Sequence, residues 1–386
     1  METVGIGMVG AGFVADLHVE AFRRVAGHDV RVVAVAAPPT RRAAFAERHG
    51  IDAVYEDLDE LLADDAVDVV DICTPPSLHV EMAIAVLEAG KHVICEKPLT
   101  GFFDVPAEGA DGVDRRRMVE SVTAEMDRLR EVVVRGDRVF GYAENYVYAP
   151  SIQKSREVLE RSGSRITMML GEESHNGSHS EYARHWRHSG GGALIRQGCH
   201  PLSAMLYLKQ VEARAAGRSV AVESVLADTT AITPTLPDER RRFLHARPAD
   251  VEDVANVVLA FDDGTRGVVT ASDVIVGGVR NTVQVFTTDS VHLCQISQND
   301  SMRLFHADPA SVEDVYVTEK LDHKAGWQYV LLDELLARGY VGEMQDFVDC
   351  VVHGGTPQAD IELAYSSMQA IYAAYESAAT DRRVRL

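Results

Sequence analysis

The feature that most constrains this sequence is a glycine-containing turn near the N-terminus. Val4–Gly10 has the continuous apolar character of a buried strand, and Ala15–Val25 has the spacing of a helix. The six residues that join them read GAGFVA and fit the pattern G-x-G-x-x-A. In such a turn the first glycine permits a tight bend, the second leaves room for a pyrophosphate, and the small third residue lets helix and strand pack closely. The predicted cofactor contacts in this unit are Gly10, Gly12, Phe13 and Val14.

Strand and helix patterns continue to alternate through the first half of the chain. Further strands are predicted at Arg31–Ala37, Val67–Thr74, His92–Glu96 and Val139–Ala143, with helices at Arg41–His49, Leu78–Ala89 and Met118–Arg135. The strands are continuous Val- and Ile-rich runs, as expected where helices cover both faces of a sheet. The predicted fold class is α/β, with an N-terminal doubly wound parallel sheet of the Rossmann type. Ligands bind outside the carboxyl ends of such strands. The predicted cofactor contacts there are Thr74, Pro75, Pro76, His79, Glu96 and Lys97.

The end of the second strand bears on the choice of cofactor. NAD-binding domains usually have Asp or Glu there, which accepts hydrogen bonds from the adenosine ribose. This chain has AAPPTRR at positions 36–42, without a carboxylate, and Ala37 is the predicted contact. The missing acid removes repulsion against a 2′-phosphate, which Arg41 or Arg42 could bind, but both arginines fit the exposed first turn of the next helix equally well. NAD is the expected cofactor, and NADP stays open.

The second half of the chain has a different pattern. Six strands rich in Val, Ile and Thr are predicted, at Arg165–Leu170, Ala221–Asp228, Val254–Phe261, Arg266–Asp273, Thr282–Thr287 and Val291–Ile296. No helix separates the later strands, and Asp262-Asp263-Gly264 is a hairpin signal, so a mainly antiparallel sheet with an open face is expected. Helical spacing returns at Ile361–Ala379.

Length and charge narrow the possible classes of protein. A chain of 386 residues exceeds one usual hydrophobic core, so we divide it into a Rossmann domain (1–147) and an α+β domain (148–386) for substrate binding and oligomerisation. A Gly- and Asp-rich loop inserted at 101–117 is interpreted as a lid, a subunit contact or an inert excursion.

The formal net charge of −21 argues against nucleic acid or an anionic membrane as partner. The five dispersed cysteines, without any CxxC, and the lack of a signal peptide or membrane-length apolar run predict a cytoplasmic protein.

Histidine and arginine are concentrated between Gly171 and His200. These thirty residues hold five of the fifteen histidines, three arginines and a glycine run at 190–192. Histidine exchanges protons near neutral pH, and arginine binds a carboxylate, sulfonate or phosphate through two donors. A solvated polar loop explains any single one of these residues, but the cluster predicts a substrate site. The predicted substrate contacts are Tyr146, Tyr148, His175, Arg184, His185, Arg196 and His200.

Metal binding is the competing use of these histidines. His175 and His179 are four residues apart, His185 and His188 are three apart, and Cys199 adjoins His200, so zinc would find possible ligands. No tight ligand motif completes the set, and we predict no metal.

Taken in order, four motifs make the chain resemble the Gfo/Idh/MocA family of oxidoreductases. They are the GAGFVA turn, Thr74-Pro75-Pro76 with His79, Glu96-Lys97-Pro98, and the glycine run that leads to His200. The resemblance covers nearly the whole chain. It implies a Rossmann domain followed by an open-faced α/β domain, a homodimer or homotetramer, and NAD(P)-dependent hydride transfer at a secondary alcohol of a sugar or polyol. It also implies that Lys97 contacts the reacting hydroxyl and that His200 exchanges the proton, which makes these two the predicted catalytic residues.

The chain departs from the family pattern at three places. Arg196 stands four residues before His200, where the family commonly has Asp, and Ser203 stands where a further acid often follows. Asn145-Tyr146-Val147 replaces a common Asn-Arg-Arg at the crossover between the domains. A carboxylate at this position would accept hydrogen bonds from sugar hydroxyls. Arg196 would instead donate hydrogen bonds to an anion.

The leading hypothesis is therefore a dehydrogenase acting on a sugar or glycoside that carries a sulfonate, carboxylate or phosphate. The alternative is an NAD-dependent glycoside hydrolase, which oxidises a ring hydroxyl, eliminates the aglycone, adds water and returns the hydride. The dehydrogenase accumulates reduced cofactor, whereas the hydrolase releases aglycone without net change in the cofactor. A cofactor-binding sensor is a third class, against which Lys97 and His200 argue together.

Overall fold

The first half of the chain forms a six-stranded parallel sheet. The computed structural model describes residues 3–297, 302–308, 310, 313–317, 319–320 and 324–386. The strands are β1 (Thr3–Val9), β2 (Asp29–Ala36), β3 (Ala53–Tyr55), β4 (Val69–Ile72), β5 (His92–Glu96) and β6 (Phe140–Ala143). Their order in the sheet is β3-β2-β1-β4-β5-β6, so the direction of winding reverses between β1 and β4. The predicted doubly wound parallel sheet is confirmed, and its ligand edge lies at the carboxyl ends of the strands.

Helices cover both faces of this sheet. They are α1 (Phe13–Phe22), α2 (Pro39–His49), α3 (Leu58–Leu62), α4 (His79–Glu88) and α5 (Arg115–Arg135), followed by α6 (Asn145–Tyr148) and α7 (Pro150–Ser162). The sequence analysis missed β3 and α3. Both are too short to show a period, and α3 begins because Asp57 caps it, accepting a hydrogen bond from the amide of Glu60 at 3.0 Å.

The second half builds a mixed sheet. Its strands are β7 (Ile166–Ser174), β8 (Val222–Thr230), β9 (Val254–Phe261), β10 (Arg266–Ser272), β11 (Arg280–Thr287) and β12 (Val291–Gln295). A separate two-stranded ladder is formed by β13 (Arg303–His306) and β14 (Gly326–Tyr329), and β15 (Val384–Arg385) joins the edge of the large sheet. The large sheet has the order β12-β11-β7-β10-β9-β8-β15, and all of its neighbouring strands are antiparallel except β7 and β10. The predicted mainly antiparallel sheet and the hairpin between β9 and β10 are confirmed.

One face of the second sheet is covered by long helices. These are α9 (Cys199–Ala215) and α12 (Ile361–Thr380), and the remaining helices are α8 (Trp186–Ser189), α10 (Glu334–Ala337) and α11 (Tyr340–His353). The sequence analysis did not identify α9. Almost every residue of this helix is buried, so it lacks the polar stripe by which an amphipathic helix is recognised.

The C-terminal helices return to the first half of the chain. Helix α11 packs against α1, and α12 packs against α5. Hydrogen bonds fix this arrangement: the amide of Tyr142 donates to the carbonyl of Ala359 at 2.9 Å, and the amide of Phe102 donates to the hydroxyl of Tyr372 at 2.6 Å. The C-terminal helices therefore pack on the first half of the chain, across the predicted division at 147/148.

The loop at 101–117 is partly built into this body. The carbonyl of Phe102 accepts a hydrogen bond from Nε1 of Trp186 at 3.0 Å, and the guanidinium of Arg115 lies 4.4 Å from the centre of the Trp186 ring. The start of the loop thus joins the Rossmann sheet to the segment that contains the glycine run. Among the described residues, no helix combines the length and the apolar character required to cross a bilayer.

Candidate active site

The turn between β1 and α1 leaves bare backbone at one of its glycines. Gly10 has φ +104°, and a Cβ atom there would lie 2.4 Å from the carbonyl oxygen of Cys73, so only glycine fits. At Gly12 the only atom near an added Cβ is Nη1 of Arg41, at 4.0 Å. Ala15 is fully buried, whereas Phe13 is 70 % exposed. The residues therefore fit a dinucleotide whose pyrophosphate passes Gly12.

His79 ties together the loops that follow β4 and β5. It is fully buried, and its ring nitrogens each lie 2.9 Å from a carbonyl oxygen, one of Thr74 and one of Pro98. Burial lowers the pKa of His79 against the opposing effect of these carbonyl acceptors. The side chain thus positions the Thr74-Pro75-Pro76 segment against the loop that follows β5.

A buried histidine that the sequence analysis missed supports Glu96. Nδ1 of His18 lies 2.8 Å from Oδ2 of Asp71, and Nε2 lies 3.2 Å from Oε1 of Glu96. Burial lowers the pKa of His18, but Asp71 and Cys73 outweigh it and raise the pKa well above its ordinary value. The second oxygen of Glu96 accepts from the amide of Lys97 at 2.8 Å. A charged His18 between two carboxylates therefore fixes the backbone from which Lys97 projects.

Lys97 reaches from the first sheet to the segment before α9. Its Nζ atom donates to the carbonyl of Arg196 at 3.0 Å. Burial lowers the pKa of Lys97, but the combined effect of Cys199, Glu96 and Glu173 is larger and raises the pKa above its ordinary value. The side chain is thus an ammonium ion that can donate to a substrate oxygen.

His200 forms a dyad with a carboxylate. Its Nδ1 atom lies 2.6 Å from Oε1 of Glu144, and both side chains are buried. Glu144 directly follows β6, whose Ala143 pairs with Glu96 of β5, so Lys97 and Glu144 leave adjacent strands side by side. The ring of Tyr146 stacks on His200 with 4.6 Å between ring centres. Lys97, His200, Glu144 and Tyr146 are therefore brought together from distant parts of the chain.

Glu173, on β7, adds an acid to this group. Burial raises the pKa of Glu173 most strongly, and His200, Lys97 and Tyr146 partly oppose that rise. Its Oε2 atom is buried without a hydrogen-bond partner among the described residues, as are Oε2 of Glu144 and the hydroxyl of Tyr146. Three unsatisfied buried polar atoms in one place are unusual in a folded protein and indicate a polar site.

Tyr148 has a different environment from Tyr146. Its hydroxyl donates to Oδ2 of Asp346 at 2.8 Å and accepts from the amide of Ala359 at 3.0 Å. Both hydrogen-bonding directions are used within the protein. The structure therefore ties the Tyr148 hydroxyl to α11 and to the segment before α12.

Comparisons with known proteins place this site in a family. Residues 4–113 match the profile described as "Oxidoreductase family, NAD-binding Rossmann fold", and residues 164–291 match the "GFO/IDH/MocA C-terminal domain".

The chain belongs to the Gfo/Idh/MocA oxidoreductase family.

Several members of this family cover almost the whole chain. Levoglucosan dehydrogenase of Pseudarthrobacter phenanthrenivorans is 25% identical over 99% of this chain and 97% of its own length. Myo-inositol 2-dehydrogenase of Thermotoga maritima is 25% identical, with 99% and 98% covered. The structure of GenD2 from gentamicin A biosynthesis, in complex with NAD, has a TM-score of 0.80 at 25% identity and covers 100% of this chain and 97% of its own. The predicted family, oxidoreductase class and nicotinamide cofactor are confirmed.

Arg196, which occupies a position where Gfo/Idh/MocA proteins commonly have Asp, is paired with an acid. Its guanidinium and the amide nitrogen of Gln197 donate to the two oxygens of Asp273, which follows β10. The Arg196 and Asp273 side chains are 10% and 4% exposed. Nδ1 of His175 lies 3.5 Å from the same carboxylate, and burial lowers the pKa of His175 to about 4, so this ring is neutral at physiological pH.

The other predicted cationic contacts lie nearer the surface. Arg184 donates to the carboxylate of Glu181 at 2.8 and 2.9 Å and to the carbonyl of Arg247 at 2.8 Å. His185 is partly exposed, with its ring centre 5.7 Å from that of His188. A small cavity is nevertheless lined by both Arg184 and Arg196, together with Arg247, Glu252 and Asp273.

The donor atoms around His200 include three that a zinc ion could also use. One ligand atom each from Glu144, Cys199 and His200 lie within 4.8 Å of one another. However, Nδ1 of His200 already contacts Glu144, and burial raises the pKa of the Cys199 thiol well above its ordinary value. Coordination of zinc would therefore require loss of the Nδ1–Glu144 contact and of the Cys199 thiol proton.

The acids of the site were the main omission of the sequence analysis. Glu144 directly follows β6, so the rule that functional groups lie at the carboxyl ends of parallel strands could have identified it. Glu173 and Asp273 gave no comparable signal. Their positions depend on the pairing of β7 with β10, which are parallel neighbours almost one hundred residues apart, with Ser174 opposite Ser272.

Proposed function

We propose that the chain transfers a hydride from a secondary alcohol carbon of a sugar or polyol to a nicotinamide dinucleotide. The observation that carries the proposal is the meeting of Lys97 with the His200–Glu144 dyad, beside the edge of the sheet where a dinucleotide would lie. Oxidation of an alcohol requires a hydride acceptor, a proton acceptor and a donor that stabilises the oxygen as its proton leaves. The proposed residues supply the last two.

The roles follow from protonation. Lys97 is an ammonium ion at neutral pH, as an ordinary lysine is, so it donates to the substrate oxygen. Glu144 accepts from Nδ1 of His200, which leaves Nε2 as the basic nitrogen. His200 therefore takes the hydroxyl proton as the hydride leaves the carbon. A nicotinamide dinucleotide bound on the GAGFVA turn supplies the hydride acceptor.

The residues fit that cofactor at both ends of the site. Gly12 leaves open space for a pyrophosphate, and Thr74 to Pro76 are held at the strand edge by His79. We assign cofactor contacts to Gly10, Gly12, Phe13, Val14, Ala37, Thr74, Pro75, Pro76, Glu96 and Lys97. His79 acts through the loops that it positions.

Glu173 and Tyr146 are proposed substrate contacts in addition to His200. A carboxylate that lacks protein donors is suited to accept hydrogen bonds from sugar hydroxyls. Glu173 has no hydrogen-bond donor to its Oε2 atom within the described residues, and it interacts with Tyr146, His200 and Lys97.

We further propose that the sugar substrate carries a negative charge. The support for this proposal is the Nε atom of Arg196, which is buried without a hydrogen-bond partner among the described residues and so is left to donate to a substrate anion. A substrate carboxylate, sulfonate or phosphate would share the Arg196 guanidinium with Asp273.

Self-association through the second sheet is proposed as well, with residues 148–386 as the unit that binds substrate and partner. A row of residues crosses six strands on the face away from α9 and α12: Leu226, Val258, Val268, Leu170, Gln284 and Leu293. Five of the six are apolar, and Leu293 is 64% exposed. A second copy of the chain would remove this surface from water.

The test is a screen of neutral and anionic sugars and their glycosides with both nicotinamide cofactors, in the parent and in Lys97→Ala. We expect reduced cofactor to accumulate with at least one sugar. The rate of cofactor reduction should be about 10²-fold lower in Lys97→Ala. Release of aglycone without reduced cofactor would identify the glycoside hydrolase instead. Equal rates in parent and variant would remove Lys97 from the mechanism.

A further inference from the structure

An exposed cation lies beside the cofactor turn. Arg41 belongs to the first turn of α2, four residues after Ala37 at the end of β2. It forms no ion pair or side-chain hydrogen bond within the part of the chain that the structure describes. Its Nη1 atom lies 4.0 Å from the position that a Cβ of Gly12 would occupy. The guanidinium therefore projects over the glycine beside which the cofactor phosphates are expected to pass.

The neighbouring arginine is placed differently. Nη2 of Arg42 lies 2.6 Å from Oε1 of Glu56, and the Arg42 side chain is only 19% exposed. Its charge is thus already compensated by a carboxylate. The sequence leaves both arginines as equal candidates, and the structure separates them.

The end of β2 also lacks the acid that selects against a phosphate. Ala37 is 6% exposed and directly follows β2, where NAD-binding domains usually carry Asp or Glu. Without that carboxylate, the ribose hydroxyls of NAD lose an acceptor, and a 2′-phosphate meets no repulsion. A free guanidinium at the same place offers a planar, permanently charged donor to phosphate.

We propose that Arg41 binds the 2′-phosphate of the adenosine ribose and that the chain prefers NADP(H) to NAD(H). The inference rests on the proposed function because it assumes a dinucleotide on the GAGFVA turn. It deepens that function by naming the class of cofactor and the residue that selects it. The matched control is Arg42→Ala, which removes an equal charge from the adjacent position.

The test measures binding and not turnover. Titration calorimetry with NADPH and NADH gives both dissociation constants for the parent, Arg41→Ala and Arg42→Ala. We expect the parent to bind NADPH about tenfold more tightly than NADH, since one charge-assisted contact has about that effect. Arg41→Ala should lose about tenfold in affinity for NADPH and keep its affinity for NADH within about twofold. Arg42→Ala should keep the parent's ratio.

The possible outcomes distinguish a wrong assignment of Arg41 from a wrong proposed function. A parent that binds NADH as tightly as NADPH, or an Arg41→Ala variant that weakens both equally, overturns the assignment of Arg41 while leaving the dehydrogenase intact. A loss of NADPH affinity in Arg42→Ala alone moves the phosphate contact to Arg42. A folded protein that binds neither dinucleotide overturns the proposed function itself. Adenosine 2′,5′-bisphosphate, titrated beside adenosine 5′-monophosphate, isolates the 2′ group and should reproduce the parent's preference.

Discussion

Nδ1 of His200 lies 2.6 Å from Oε1 of Glu144, although the two residues are 56 positions apart in the sequence and come from different halves of the chain. Glu144 is fixed by β6 of the first sheet, and His200 by the buried helix α9 of the second half. Their contact therefore joins the two halves of the chain at the candidate active site. It also determines which nitrogen of His200 is available for proton transfer.

Removing the charge of Glu144 should slow the reaction without unfolding the protein. In Glu144→Gln the amide keeps the size of the side chain but no longer favours a proton on Nδ1, so kcat should fall by about 10²-fold. Steady-state kinetics on the sugar found in the screen gives this value. Because the two residues act as a unit, Glu144→Gln combined with His200→Asn should be no slower than His200→Asn alone; additive losses would show that they act independently.

Glu173→Gln should weaken substrate binding and change the pH profile. We expect KM for the sugar to rise about tenfold, because an amide replaces a charged acceptor. Burial raises the pKa of Glu173, so the parent should lose activity as pH falls through that raised pKa, and the variant should lack this acid limb.

Glu172→Gln is the matched control for Glu173. Glu172 is the preceding residue of β7, points to the opposite face and pairs with Arg280 at 3.0 Å. Its replacement should leave KM and the pH profile unchanged. The same acid limb in all three proteins would exclude Glu173 as its source.

The two glycines of the cofactor turn should fail in different ways. Gly12→Val should keep its melting temperature but bind no dinucleotide, because the side chain enters space that only Arg41 approaches. Gly10→Ala should instead destabilise the fold, because φ is +104° and the new Cβ would lie 2.4 Å from the carbonyl oxygen of Cys73. Thermal unfolding and cofactor titration of both variants distinguish these results; tight binding by Gly12→Val would contradict the placement of the pyrophosphate.

Breaking the Arg196–Asp273 pair should be costly. Both side chains are buried, and removing one partner of a buried pair leaves an uncompensated charge, which costs about 3–5 kcal/mol. Asp273→Asn should therefore lower the melting temperature by several degrees. The exposed pair Arg184–Glu181 is the comparison, since Glu181→Gln should change stability by less than about 1 kcal/mol. Equal effects of the two substitutions would contradict a buried pair at Arg196.

Glu343→Gln should stabilise the protein increasingly as pH rises. Glu343 is fully buried, neither of its oxygens has a partner among the described residues, and burial raises its pKa well above the ordinary value. The folded state therefore binds more protons at this group than the unfolded state, and stability is lost as pH rises above about 4.3, the unfolded pKa of Glu. Melting curves from pH 5 to 9 should show a growing difference between variant and parent; a constant difference would mean that Glu343 does not titrate.

Local signals made much of the fold predictable. The GAGFVA turn, the Val- and Ile-rich strands and the hairpin at Asp262-Asp263-Gly264 depend on residues close in sequence, and each lies where it was expected. Lys97 and His200 were found from motifs. Glu173 and Asp273 depend on strand pairing between distant segments, and nothing in the sequence shows that β7 lies beside β10. The charge of Arg196 was likewise visible, but its pairing with Asp273 was not.

The return of α11 and α12 to the first sheet determines when the nucleotide-binding half can be completed. The amide of Tyr142 depends on Ala359 for its acceptor, and α5 depends on α12 for its packing partner. A ribosome makes Tyr142 long before it makes Ala359. The Tyr142 amide and the side of α5 that packs on α12 therefore lack these partners until α12 has been synthesised, and a chain truncated before α11 would lose support in its first half as well as in its second.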